Sequence, residues 1–204
     1  MTECYAMVLN AIRARRSTRR YTDQPVDRAL IETVLEVATH APSAHNRLPW
    51  RFAVVTSPEA KVRLASALGE RWRADRLADG DAPDAVEADI ARSHARITAA
   101  PVVFLACLTM ADMDGYSDTR RKSAERIMAI QSVAAAIQNL LLAAHAEGLG
   151  ACWMCAPLFA PDAARAALDL PDDWEPQALV TLGYPAEEAK PKVIELLSSR
   201  VVYR

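Results

Sequence analysis

PVVFLACLTM, residues 101–110, is a nearly continuous apolar run. A run of that length suits a central strand covered on both faces. After the polar loop Ala111–Thr119 comes the longest helical pattern in the chain, from about Arg120 to Glu147. Its second half, SVAAAIQNLLLAAHAEGLG, is apolar nearly all round, which places it in the core or at a subunit interface. Gly148 and Gly150 end it. The other strand candidates are RFAVVT at 51–56, a short strand or extended loop at 152–155, and 177–184. Connections of about 30 to more than 40 residues between strands are long for simple βα repeats. The expectation is an α+β fold with a mixed central sheet flanked by helices, in one domain over 1–204.

Outward from that centre, Val8–Arg16 reads as a short amphipathic helix with Val8, Leu9 and Ile12 apolar. Asp27 suits the N-cap of a second helix bearing Leu30, Ile31, Val34, Leu35 and Ala38 on one face and stopping near Pro42. APSAHNRLPW, 41–50, is an ordered loop by its prolines, serine and asparagine. Ser57 and Pro58 open a further helix expected to reach Gly69. Residues 70–98 are charged and helical with a break at 79–83, a surface hairpin or a lid. Pro161–Leu168 is a helix, and 186–204 is a C-terminal extension whose last apolar residues suit a final strand.

A net charge of −2 disfavours broad attraction to nucleic acid or to an anionic membrane surface. No run approaches the roughly 18 consecutive apolar residues of a membrane span, and no secretory signal precedes the four cysteines, so a reduced, cytoplasmic protein is expected. Cys152 and Cys155 have dithiol or half-zinc spacing, but a second CxxC or paired histidines are missing, and packing cysteines are the better reading. His40, His45, His94 and His145 are scattered. Asp112, Asp114 and Asp118 resemble part of a calcium loop, yet Glu125 falls two residues late for its bidentate position. No metal site is expected. Neither a G-x-G-x-x-G turn nor a Walker motif is present.

Two stretches lack a structural explanation. ARRSTRRY, 14–21, gathers four arginines and two hydroxyl residues into a local anion site, since guanidinium forks and short hydroxyl donors suit phosphate oxygens. The other is the APSAHNRLPW loop. Together with GLGACW at 148–153 and GYP at 183–185, in this order and spacing, they resemble the FMN-dependent nitroreductase family over almost the whole chain. The family motif R-R-S-x-R is matched by Arg15, Arg16, Ser17, Thr18 and Arg19, and A-P-S-x-x-N-x-Q-P-W by Ala41, Pro42, Ser43, Asn46, Pro49 and Trp50, with Leu48 where glutamine is usual.

The resemblance implies an intertwined homodimer with FMN at the interface and NADH or NADPH as co-substrate. It assigns the FMN phosphate to Arg15, Arg16 and Ser17, helped by Lys190 or Lys192. Arg19 falls to the pyrimidine edge of the flavin, where charge accumulates on reduction. Pro42, Ser43 and Asn46 would reach the flavin from the partner subunit, and backbone groups of Met154, Cys155 and Ala156 would face the ring's reactive nitrogen. The implied reaction is ping-pong transfer of hydride or electrons to a small conjugated acceptor, such as a nitroaromatic, quinone or enoyl compound. It demands no catalytic side chain. The segments 70–83, 116–125 and 170–185 also look like the reductase domain fused to the glutamate ligase of deazaflavin-coenzyme biosynthesis, and like its free-standing relatives; that domain reduces a dehydro precursor. A flavin-binding module without activity is the non-enzymatic alternative.

Overall fold

The computed structural model describes residues 2–188, 198 and 200–204. The run at 101–110 forms the strand at its centre. Four strands, β1 (Trp50–Val55), β2 (Val102–Leu108), β3 (Gly150–Met154) and β4 (Glu175–Gly183), make a sheet in the order β1-β2-β4-β3. β2 is buried along its whole length. Its alternation sends Val102, Phe104, Ala106 and Leu108 into one apolar cluster and Val103, Leu105 and Cys107 into another. One residue set thus fills two cores. Truncating Phe104, which is fully buried, would cost about 3–5 kcal/mol.

The first cluster is roofed by helices α2 (Arg28–Thr39) and α5 (Thr119–Ala146). The second is covered by α3 (Pro58–Ala78), α4 (Pro83–Thr98) and α6 (Pro161–Ala167), with Leu64, Leu68, Ile97 and Ala164 pointing inward. α5 carries Val133, Ala136, Ile137, Leu140 and Ala144 into the core. It is also the one helix among the described residues long and apolar enough to span a membrane, and 44% of that stretch is buried. α1 (Thr2–Ala14) packs on α5 and ends before the arginine stretch.

Two expectations change. The strand pairings are all antiparallel, not mixed; the parallel pairing among the described residues is the isolated bridge Ser17–Ala151 on the outer edge of β3. α3 does not stop at Gly69 but runs on to Ala78, because the missing side chain lets α4 approach: a Cβ on Gly69 would meet Ile90 at 3.0 Å. The segment 70–98 is therefore the outer part of one helical hairpin, held by buried Val86 and Ile90 and by the Arg73–Glu87 and Arg76–Asp89 ion pairs. The last strand begins with an irregularity, where Cys107 pairs with Pro176 and Ala106 with Ala178, leaving Gln177 as the extra residue.

Candidate functional site

The arginine stretch leaves α1 and runs along the open edge of β3. Thr18 N–H donates to the Ala151 carbonyl at 3.0 Å, one residue after the Ser17–Ala151 bridge. Gly150 is required at this contact, since a Cβ there would lie 2.6 Å from the Thr18 side chain. Tyr21 then locks the turn. Its phenol lies 2.6 Å from the Thr18 carbonyl and 2.7 Å from Thr181 Oγ1. A phenol has one proton, so Tyr21 donates to Thr18 and accepts from Thr181. Burial raises the Tyr21 pKa, which keeps that proton in place.

The strand end after β4 joins the same edge. Thr22 N–H donates to the Tyr184 carbonyl at 2.9 Å, Ala186 N–H to the Arg20 carbonyl at 3.1 Å, and Tyr21 bridges to Pro185. Three stretches far apart in sequence, 15–22, 148–153 and 183–186, are thereby brought side by side. Between them opens a cavity of about 540 Å³ whose lining includes Arg15, Arg16, Thr18, His145, Glu187 and Glu188. The volume lies in the range of small-molecule sites. Its donor set fits a phosphate: two guanidinium groups, backbone amides, and the exposed Ser17 beside them. Arg20 pairs with Glu187 at 3.4 Å and so offsets one of the acidic groups.

Within that set the arginines differ. Arg16 Nη1 donates to the carbonyls of Arg13 and Arg15, at 2.5 and 2.8 Å, and so closes the end of α1 while lining the cavity. Arg19 is exposed farther along the β3 edge. Burial raises the Cys152 thiol pKa, and the positive charges of Arg19, Arg96 and Arg15 partly offset this. Cys152 is thus a buried, protonated neighbour of the site and not half of a reactive dithiol; Cys155 is exposed, and both are free. Met154 ends β3, and Cys155 and Ala156 lead into the 3-10 turn Ala156–Phe159.

Pro42, Ser43 and Asn46 lie elsewhere. Their loop sits over the first half of α5, where Ala44 N–H donates to Ser132 Oγ at 3.1 Å, and Ser43 Oγ accepts the Leu48 N–H at 3.1 Å. Ser132 precedes the cavity residues Leu141 and His145 on α5, a separation of about 14–20 Å at the helical rise. One chain does not bring the two halves together. His45, Asn46 and Leu48 all have φ near +50°. For side chains other than glycine this costs about 1 kcal/mol each, a concentration of strain in one loop. Lys190 and Lys192 lie outside the described residues.

Sequence reasoning missed His145, which lines the cavity, and the linking role of Tyr21. His145 sits three residues before the expected Gly148 helix stop, so its nearness to GLGACW was available as a signal.

Residues 12–184 match the model of the nitroreductase family. The chain belongs to the nitroreductase family. Membership makes it an FMN-type oxidoreductase. It is 33% identical over 202 residues to an NADH dehydrogenase of Thermus thermophilus, covering 87% of this chain and 86% of that one. It is 31% identical over 184 residues to a putative NADH dehydrogenase/NAD(P)H nitroreductase of Methanothermobacter thermautotrophicus, covering 88% and 78%. Among solved structures, a putative nitroreductase in complex with FMN from Desulfovibrio desulfuricans superposes with a TM-score of 0.73 at 28% identity, over 97% and 96% of the two chains. A BluB-like flavoprotein from Clostridium difficile shares the fold at a TM-score of 0.81 and 22% identity, over 97% and 98%.

Proposed function

We propose that this nitroreductase-family member works as a cytoplasmic homodimer, moving reducing equivalents from NADH or NADPH to a small conjugated acceptor. The observation that carries the reading is the arginine-lined cavity where 15–22, 148–153 and 183–186 meet. The relatives' names and the FMN complex of a similar structure support the cofactor and the donor. When bound, FMN supplies the chemistry by accepting a hydride from one substrate and delivering it to the next.

The chain's own residues bind and orient. Arg15, with Arg16 and Ser17, neutralises the phosphate. Arg19 would sit beside the electron-accepting ring of bound FMN, as a fixed cation favouring its reduced, more negative state. Backbone groups at Met154, Cys155 and Ala156 would face the reactive nitrogen of the ring. Because the 42–46 loop lies well along α5 from the cavity, Pro42, Ser43 and Asn46 serve the site of the other subunit. The exposed apolar residues Met7, Val8 and Ile12 of α1, with Ile127 on α5, give such a dimer its contact surface. By the family resemblance, Lys190 or Lys192 would help Arg15 and Arg16 hold the phosphate.

The test is reconstitution of the purified protein with FMN followed by stopped-flow reduction with NADH and NADPH. A stable yellow complex that is reduced and then reoxidised by nitroaromatics or quinones supports the reading. A preparation that retains no FMN refutes it, and one that holds FMN without reduction by either donor is a flavin-binding module. The finer resemblance makes a dehydro precursor of deazaflavin-coenzyme biosynthesis the further acceptor to assay, and lack of turnover removes that pathway.

A further inference from the structure

Glu125 is a carboxylate in the wrong place for an ordinary helix surface. It lies on α5, 1% exposed, and one oxygen accepts the Asp114 N–H at 3.1 Å. The other oxygen, Oε2, is buried and has no hydrogen-bond partner. A buried anionic oxygen left unanswered is costly, so a partner is to be expected.

Two side chains from separate loops converge on it. His45 Nε2 is 4.0 Å from Glu125 Oε2 and 4.0 Å from Asp114 Oδ2, too far for a hydrogen bond to either. One ligand atom from each of the three lies within 4.8 Å of the others. Atoms so spaced sit within about 2.8 Å of a common centre, against roughly 2.0–2.2 Å for zinc bonds to nitrogen and oxygen. Side-chain rotation closes a gap of that size. Arg47 Nη2 holds Asp114 Oδ1 at 2.7 Å, which leaves Oδ2 as a single ligand oxygen aimed at the same centre.

We infer that His45, Asp114 and Glu125 bind one divalent first-row transition-metal ion. The imidazole nitrogen disfavours calcium and magnesium, which prefer oxygen shells, and one nitrogen with two carboxylate oxygens suits zinc, manganese or ferrous iron. Three protein ligands leave further coordination positions for water. With Arg47 offsetting one of the two carboxylates, a divalent ion resolves the remaining negative charge. Such an ion cross-links three segments: the strained 43–48 loop, the loop after β2, and α5. It would therefore fix the backbone that carries Ser43 and Asn46. Asp114 and Glu125 are near each other in sequence, but the membership of His45 was invisible there because 69 positions separate it from Asp114.

The test needs no flavin. Protein stripped with EDTA is equilibrated with zinc or manganese chloride, desalted and assayed for metal by mass spectrometry and for melting temperature. The expected result is about one equivalent of metal per chain with a raised melting temperature, both lost in Glu125→Gln and in His45→Ala. Should Glu125→Gln fail to fold, Asp114→Asn and His45→Ala carry the test, since both side chains are at least a third exposed. Wild-type protein that holds less than about a tenth of an equivalent overturns the site. So does metal retained undiminished in the His45 and Asp114 variants. Melting insensitive to EDTA and to added metal assigns the cluster to a plain ion pair and overturns it as well. These readouts are separate from FMN retention, so failure here leaves the proposed oxidoreductase activity standing.

Discussion

Gly150→Ala puts a methyl group where Thr18 already sits. The new Cβ would lie 2.6 Å from Thr18 Cβ and Cγ2, whereas ordinary contact begins at 3.4 Å, so about 0.8 Å must be found. The backbone of Gly150 is not in the left-handed region, so the cost is contact and not φ/ψ strain. Thr18 cannot yield freely, because its N–H is tied to Ala151 and its carbonyl to Tyr21. Overpacking of this kind costs about 1–3 kcal/mol. For a chain of this size each kcal/mol moves the melting temperature by about 2–4 °C, giving an expected fall of about 2–12 °C. Displacing Thr18 also shifts the nearby Arg15 and Arg16 that line the cavity. If about 1.4 kcal/mol of the strain reaches the bound state, FMN affinity falls about tenfold. Differential scanning fluorimetry and fluorescence titration with FMN measure the two effects. Adding Thr18→Gly removes the opposing Cβ and should recover part of both losses. A Gly150→Ala protein that melts and binds FMN like wild type refutes the packing of the arginine stretch on β3.

Arg15→Ala should weaken FMN retention, increasingly so at high salt, while Arg19→Ala lowers the flavin's reduction potential with a smaller effect on retention; spectroelectrochemistry and desalting assays separate them, and equal effects of both would contradict the division. Glu175 is held below its ordinary value near 4.5 by hydrogen bonds from Arg126, whose guanidinium engages both carboxylate oxygens. A depressed native value means stability that is full above the unfolded value and is lost as pH falls through the native one; Glu175→Gln should flatten that acid limb of the melting curve. Burial pushes the Cys107 thiol up to about 12 and raises that of Cys152, so site-resolved alkylation of native protein at neutral pH should label exposed Cys155 and spare both. Ile12→Glu, on the exposed apolar face of α1, should shift the protein from dimer toward monomer in sedimentation velocity, and an unchanged dimer would place the interface elsewhere.

Local pattern was enough for the scaffold. The run at 101–110 announced a strand covered on both faces, and the alanine- and leucine-rich second half of 119–146 announced a core helix, because burial on all sides leaves no polar periodicity. The Ser57 cap, the Pro58 start and the Gly148 stop were equally local, each being a matter of a few neighbouring backbone groups. Composition alone could not show that Gly69 continues a helix, since its use lies in a contact with Ile90 on another element. Nor could it show that the sheet is antiparallel, because strand direction is set by how the helical connections pack and not by strand content.

The site divides in the same way. The sequence by itself determined which residue types bear the anion-binding chemistry, since guanidinium and hydroxyl donors are fixed by identity. Only the tertiary structure decided that 15–22 lies on the edge of β3 beside 183–186, that Arg16 turns back on its own helix, and that the 42–46 loop sits far along α5 from the cavity. It also decided that His45, Asp114 and Glu125 meet. Such contacts join positions with no local coupling, and they exist because burying two apolar faces of one sheet forces the connecting loops to its edges and ends.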